Sequence, residues 1–242
     1  MRKSIAAAIV AATAATSACG QHGSGDGGPT VSRSYQVGNF QQIEVGGAYD
    51  VDVRTGANVG VSATGPQKLL ERTVVEVQGD KLLIHPQEHQ GWFHFGSWNS
   101  GTAHFTVTVP QLSAATIAGS GDIQVDHVKG DRFEGTVAGS GGLGIGTIDV
   151  QSLKLSIGGS GDAKAAAGHA ASGEYEIGGS GGVDAGGVAT QQMKVSVAGS
   201  GNIKANSSGP AEVDISGSGD VEITGGAKCT INKAGSGNVR CS

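Results

Sequence analysis

Gly119-Ser120-Gly121-Asp122-Ile123-Gln124-Val125 is followed twenty residues later by Gly139-Ser140-Gly141-Gly142-Leu143-Gly144-Ile145, and then by Gly159-Ser160-Gly161-Asp162-Ala163-Lys164-Ala165. Gly-Ser-Gly returns at 179, 199, 217 and 235, giving four steps of 20 residues and then two of 18. Counted from the first Gly, positions +4 and +6 are apolar throughout, from Ile123/Val125 to Val239/Cys241. On the other side, positions −2 and −4 carry pairs such as Ile157/Leu155 and Val197/Val195, with polar Lys154, Ser156, Lys194 and Ser196 between them. Alternation with period two marks strands buried on one face. Each unit reads as a strand, a Gly-Ser-Gly turn, a second strand and a far turn.

No unit can cover its own apolar face, so successive units must stack at strand spacing and share one core. The expected fold is all-β: a β-solenoid, right-handed by the usual crossover preference, with coils of about 20 residues and Gly-Ser-Gly turns. Six steps of about 4.8 Å make a rod roughly 29 Å long. The 44 glycines among 242 residues fit this reading better than two others. Collagen needs Gly at every third position, and a flexible linker would not hold apolar residues in phase with its glycines. Stacked sharp turns need residues that tolerate positive φ and leave no room for Cβ.

The residue after each motif runs Asp122, Gly142, Asp162, Gly182, Asn202, Asp220, Asn238. Neighbouring copies thus avoid opposing carboxylates, and turn chemistry is favoured over a metal site. Cys229 and Cys241 lie at −6 and +6 of the last motif, in two inward columns, and are expected to form a disulfide closing the final coil. A disulfide needs Cα atoms within about 7 Å while packed sheets lie about 10 Å apart, so the solenoid must narrow there.

Residues 31–118 alternate similarly, as in Tyr49 to Val53 and Phe105 to Val109, but lack the motif and predict less regular coils; Pro66 to Glu71 reads as one helical turn. An insertion at 87–101 carries Trp92, Phe93, Phe95 and Trp98. These aromatics are candidates for stacking on sugars or packing on a partner protein, against the alternative that they fold over an open end of the solenoid. His85, His89, His94 and His104 are close in sequence but have no ligand spacing, and no metal or cofactor is assigned.

At the N-terminus, residues 1–18 form an export signal, with Arg2 and Lys3 before an apolar run too short to span a bilayer. Thr16-Ser17-Ala18-Cys19 resembles a lipobox, which would make Cys19 the lipidated residue; Thr16 in place of Leu leaves cleavage after Ala18 as the alternative. Residues 19–30 read as a flexible tether, 31–118 as the irregular solenoid part and 119–242 as the regular one. Gly20 after the cysteine favours the outer membrane over retention at the inner one. The formal net charge of −5 becomes −7 once Arg2 and Lys3 are lost, which argues against a nucleic-acid partner.

Ile43-Glu44-Val45-Gly46-Gly47-Ala48-Tyr49-Asp50-Val51, then Gln78-Gly79-Asp80-Lys81-Leu82, Val107-Thr108-Val109-Pro110-Gln111-Leu112 and repeated Gly-Ser-Gly-Asp resemble the bacterial head-GIN-domain family of autotransporter-adhesin-like proteins over about residues 34–241. The resemblance implies an envelope or secreted protein with a β-solenoid-like fold and supplies no catalytic residues. An enzyme on such a fold would carry long loops with clustered carboxylates and a basic residue over a groove. The repeat region has short turns, and its motif serines have no histidine in register. The expectation is a non-catalytic module for binding or adhesion, its partners a membrane, through the lipid, and a glycan or surface protein. A passive structural role is the alternative.

Overall fold

Apolar and polar side chains alternate along much of the repeat, and the described residues form 17 strands that follow such alternation. The computed structural model describes residues 27–87 and 101–242. The chain opens with β1 (Thr30–Tyr35), β2 (Gln42–Gly47), β3 (Tyr49–Thr55) and β4 (Gly60–Pro66). The helical turn α1 (Gln67–Glu71) follows Pro66 as expected, and then come β5 (Thr73–Gln78), β6 (Lys81–Pro86), β7 (Ala103–Val109) and β8 (Ala114–Gly119). Four long strands carry the 20-residue repeats: β9 (Asp122–Gly139), β10 (Gly142–Gly159), β11 (Asp162–Gly179) and β12 (Gly182–Gly199). The shorter repeats supply β13 (Asn202–Ser207), β14 (Pro210–Gly217), β15 (Val221–Thr224), β16 (Lys228–Gly235) and β17 (Val239–Cys241).

From β8 onward all ladders are parallel, in the register set by the motif. Gly142 pairs with Asp162, Ile145 with Ala165, Ile157 with Ile177 and Gly159 with Gly179. The inward residues make one continuous core.

The repeat is not two strands joined by a far turn. In β10 the buried residues are Leu143 and Ile145, then Ile148 and Val150, then Leu153, Leu155 and Ile157. Exposed pairs, Gly146-Thr147 and Gln151-Ser152, break the alternation between these groups, and the ladder skips 146 and 151. Each 20-residue coil thus has three inward-facing segments, and the middle one replaces the expected far turn. Period two was legible in the sequence; the two breaks of phase mark the corners.

The middle segment also explains the change from 20 to 18 residues. In a long repeat it buries two residues, Val188 and Thr190; between Ala205 and Ala211 it buries only Ser207. The shortened coils bring the −6 and +6 columns together, and Cys229 and Cys241 form the disulfide with Cα atoms 6.6 Å apart. The narrowing is thus produced at one side of a three-sided coil and not by pinching two sheets.

Large and small residues compensate within the core. Gly135 leaves space that a Cβ would contest with Leu143 and Leu155, beside the ring of Phe133. One coil has Ala163, Ala165 and Ala170 along its walls and Gly173 at the −6 column, and the ring of Tyr175, 0% exposed, occupies the space. Volume is conserved over neighbouring positions, as close packing requires.

The N-terminal part departs from chain order. β2 pairs in parallel with both β6 and β8, and β3 with both β7 and β9. The first coil of the sequence, β2–β3, therefore lies between β6–β7 and the regular repeats. Beyond β7 the ladder turns antiparallel, through β4 and then β1, while β5 pairs antiparallel with β6. These three strands close the N-terminal edges. The C-terminal edges, β16 and β17, end the ladders with Ile231 46% exposed. Lys233 stands in the column of Ile177, Val197 and Ile215 and donates from Nζ to the Gly237 carbonyl at 2.9 Å, so a charge terminates that apolar column.

Candidate functional site: the ridge, its N-terminal root and a flanking groove

The Gly-Ser-Gly turns stack into a straight ridge. Backbone N–H groups of Ser140, Ser160, Ser180 and Ser200 donate to the carbonyls of Gly119, Gly139, Gly159 and Gly179 at 2.9–3.0 Å. The first Gly of each motif has positive φ, from 131° to 153°. The third is needed for closeness alone: a Cβ on Gly141 would meet the Gly121 carbonyl at 2.0 Å. The motif serines all point to solvent.

The ridge extends one coil further than the motif does. Gly47 pairs with Gly119 and has φ of 112°, and a Cβ on Gly121 would strike Tyr49. Gly47-Ala48-Tyr49 is thus an eighth turn whose motif letters have changed while its glycine remains. Ile43 and Val45 before it, and Val51 and Val53 after it, occupy the −4, −2, +4 and +6 columns. That periodicity was present in the sequence, hidden by a gap of 72 residues to the next copy.

The eighth copy corrects the Asp column. Among the seven motifs no carboxylates oppose each other, but Asp50 pairs directly with Asp122. Elsewhere the column works as turn chemistry: Asp122 Oδ1 accepts from the Gly142 N–H at 2.7 Å, and Asp220 Oδ1 from the Asn238 N–H at 3.0 Å. Next to the Asp50–Asp122 pair, His104 Nε2 lies 3.0 Å from Asp52 Oδ2. Among the described residues no cluster of His, Cys, Asp or Glu has the geometry of a metal site.

Two further columns alternate in sign. At −5 they run Glu134, Lys154, Glu174, Lys194, Glu212; at +5, Lys164, Asp184, Lys204, Glu222, Arg240. Lys154 Nζ is 3.3 Å from Glu174 and 3.1 Å from Glu176. Its bond to Glu176 raises the Lys154 pKa and holds the Glu176 carboxyl below the usual carboxylate range. Reading the sequence in steps of 20 residues, and of 18 over the last two repeats, would have exposed both columns.

In the outermost parallel coil, Val45 pairs with Ile84, a Cβ on Gly47 would lie 3.3 Å from Pro86 two residues further on, and Ala103 pairs with Tyr49. The insertion therefore replaces the single central residue of a ridge turn. At one root the Gln87 N–H donates to the Arg72 carbonyl at 2.7 Å; at the other, Gly101 has φ of 76° and a Cβ there would lie 3.2 Å from Pro66 Cγ. Trp92, Phe93, Phe95 and Trp98, like Cys19, lie outside the described residues.

Away from the ridge, the middle segment is missing from the N-terminal coils, and the loops that replace it leave a groove of about 660 Å³. Phe40, 3% exposed, and Val59 form its floor; the exposed residues Ala57 and Pro110 stand on its rim with the polar Asn39, Gln41, Asn58, Asp80 and Gln111. Backbone bonds tie the loops together: the Gln41 and Gln42 N–H groups donate to the Asp80 carbonyl, Ser113 N–H to the Gln41 carbonyl and Gly56 N–H to the Val109 carbonyl.

Coils of about 20 residues, an irregular N-terminal cap and short turns define a β-solenoid whose distinctive surfaces gather at its N-terminal end. The chain belongs to the family described as "Putative auto-transporter adhesin, head GIN domain", whose model matches residues 39–227. Among solved structures it is similar to a "putative adhesin" from Bacteroides fragilis (21% identity, 88% of this chain and 97% of that one, TM-score 0.76). It is also similar to a "putative lipid binding protein" from Parabacteroides distasonis (21%, 89% and 97%, TM-score 0.68). A "putative adhesin" from Parabacteroides merdae aligns likewise (18%, 89% and 97%, TM-score 0.65). At these identities the likeness is one of fold. A comparison with curated proteins yields no match.

Proposed function

We propose that this chain is an exported, lipid-anchored envelope protein that presents its solenoid for binding or adhesion and carries no catalytic centre. The supporting observation is the root of the aromatic insertion. Where the other coils spend one residue on the ridge turn, the outermost parallel coil spends 16, from 87 to 102, with both roots beside the cap. The family description and the names of two structural neighbours favour the same reading. Trp92 and Trp98 are its expected contact residues, since indole rings combine a large apolar face with a polar edge.

The test is binding of the mature protein to glycan arrays and to host-surface preparations, compared with Trp92→Ala and Trp98→Ala. Loss of binding in these variants with unchanged melting supports the reading. Binding that survives both removes the insertion from it, and no binding to any surface favours a passive structural role. Mass spectrometry of the mature N-terminus tests the anchor: a diacylglyceryl adduct on Cys19 supports it, and an unmodified N-terminus at Cys19 after loss of residues 1–18 overturns it.

A further inference from the structure

The groove on the side away from the ridge has a composition that selects its ligand. Among the described residues, its rim carries four amide side chains and one carboxylate and no lysine or arginine. Among the described residues, the amides of Asn39, Gln41 and Asn58 make no hydrogen bond within the protein. Gln111 commits its Nε2 to the Lys129 carbonyl at 3.3 Å, leaving its amide oxygen, and Asp80 accepts from Gln42 through Oδ2 alone. Each free amide presents a donor and an acceptor side by side, the pattern that matches vicinal hydroxyls, which also give and take.

Charge excludes two other classes. With no cation and one carboxylate, a phosphate, sulfate or uronate would be repelled and left unpaired. A fatty chain needs continuous apolar walls, whereas five of the nine lining residues are polar and interrupt the apolar surface of Phe40, Val59, Ala57 and Pro110. The backbone bonds between the four loops fix the rim's main chain before any ligand arrives, so the ordering cost of binding is confined to the rim side chains. A groove of about 660 Å³ lies within the usual range for small-ligand sites of about 300–1,000 Å³.

We propose that this groove binds a neutral saccharide, held by Asn39, Asn58 and Asp80 over the apolar floor. The residues that line the groove are not those of the aromatic insertion, and the proposal stands whether or not the insertion binds. The test is isothermal titration of the mature chain with cello-, malto- and chito-oligosaccharides, with a sulfated oligosaccharide and dodecanoate as competitors of other chemistry. Saturable binding of a neutral oligosaccharide is expected, about tenfold weaker or worse in the double variant Asn39→Ala/Asn58→Ala, the loss that one or two hydrogen bonds carry. Trp92→Ala/Trp98→Ala should leave this affinity unchanged. Both altered asparagines are exposed, so melting should match the parent. Absence of saturable binding, binding undiminished in the asparagine variant, or preference for dodecanoate or the sulfated sugar would overturn the proposal. If binding is lost only in the tryptophan variant, the groove fails and the insertion stands.

Discussion

Tyr175 fills the space that an all-alanine wall and Gly173 leave open, but its hydroxyl reaches no partner, and burial drives its pKa far up. A buried hydroxyl without a hydrogen bond costs more than the methylene-sized contact it adds. Tyr175→Phe should therefore stabilise the protein by about 1 kcal/mol or more, read as a rise in urea midpoint at unchanged slope; a fall would mean that the hydroxyl is satisfied. At the ridge the tolerance is the reverse. Gly139 has φ of 142°, and a Cβ there would lie 2.2 Å from the Gly119 carbonyl. Gly139→Ala should cost roughly 3–5 kcal/mol through strain and overpacking together. A stability within about 0.5 kcal/mol of the parent would show that stacking is looser than these contacts imply.

At the level of strands, the parallel register turns sequence spacing into contact, and the charge columns are the clearest case. Lys154→Glu would place carboxylates at 134, 154 and 174 on consecutive coils. A loss of about 1 kcal/mol is expected at low salt, shrinking as salt screens the exposed column. The pH dependence has a definite sign. Glu176 titrates below its unfolded value because of Lys154, so its contribution is present at neutral pH and is lost as pH falls through the folded value. Lys154→Ala should accordingly flatten the decline of melting temperature on the acid side; an unchanged decline would assign the loss to other carboxylates. The disulfide acts on the last coil. Removing it as Cys229→Ala/Cys241→Ala should cost about 3 kcal/mol in the closed-loop picture. Amide exchange should speed up in β16 and β17 while β10 and β11 keep their protection.

For the whole molecule, what could be read from the sequence followed from repetition. Seven equal motifs define the ladder register, the inward columns and the partners of Cys229 and Cys241, because in a parallel stack spacing along the chain becomes proximity in space. The three-sided cross-section was harder to see. Its corners are marked only by lapses of alternation at Gly146-Thr147 and Gln151-Ser152, while Gly-rich stretches conceal the phase. The cap was hidden for another reason: antiparallel β1 and β4 carry short alternating runs with no repeat to align them. The groove depends on four loops from distant parts of the chain, and no local signal announces that Asn39, Asn58, Asp80 and Gln111 will meet.

The coil β2–β3, first in sequence yet flanked by later strands on both sides, has a mechanical consequence. An ordinary solenoid yields to a pull on one terminus by unzipping layer after layer, each step breaking one ladder. Here a pull at the N-terminus first strips β1 from β4, and the next strands in line are clasped between two neighbours. Releasing them requires β6 and β8, and β7 and β9, to let go together. The stack is thus resistant to peeling from its N-terminal end, with β1 as a sacrificial first layer and β2–β3 as the point where extraction should stall.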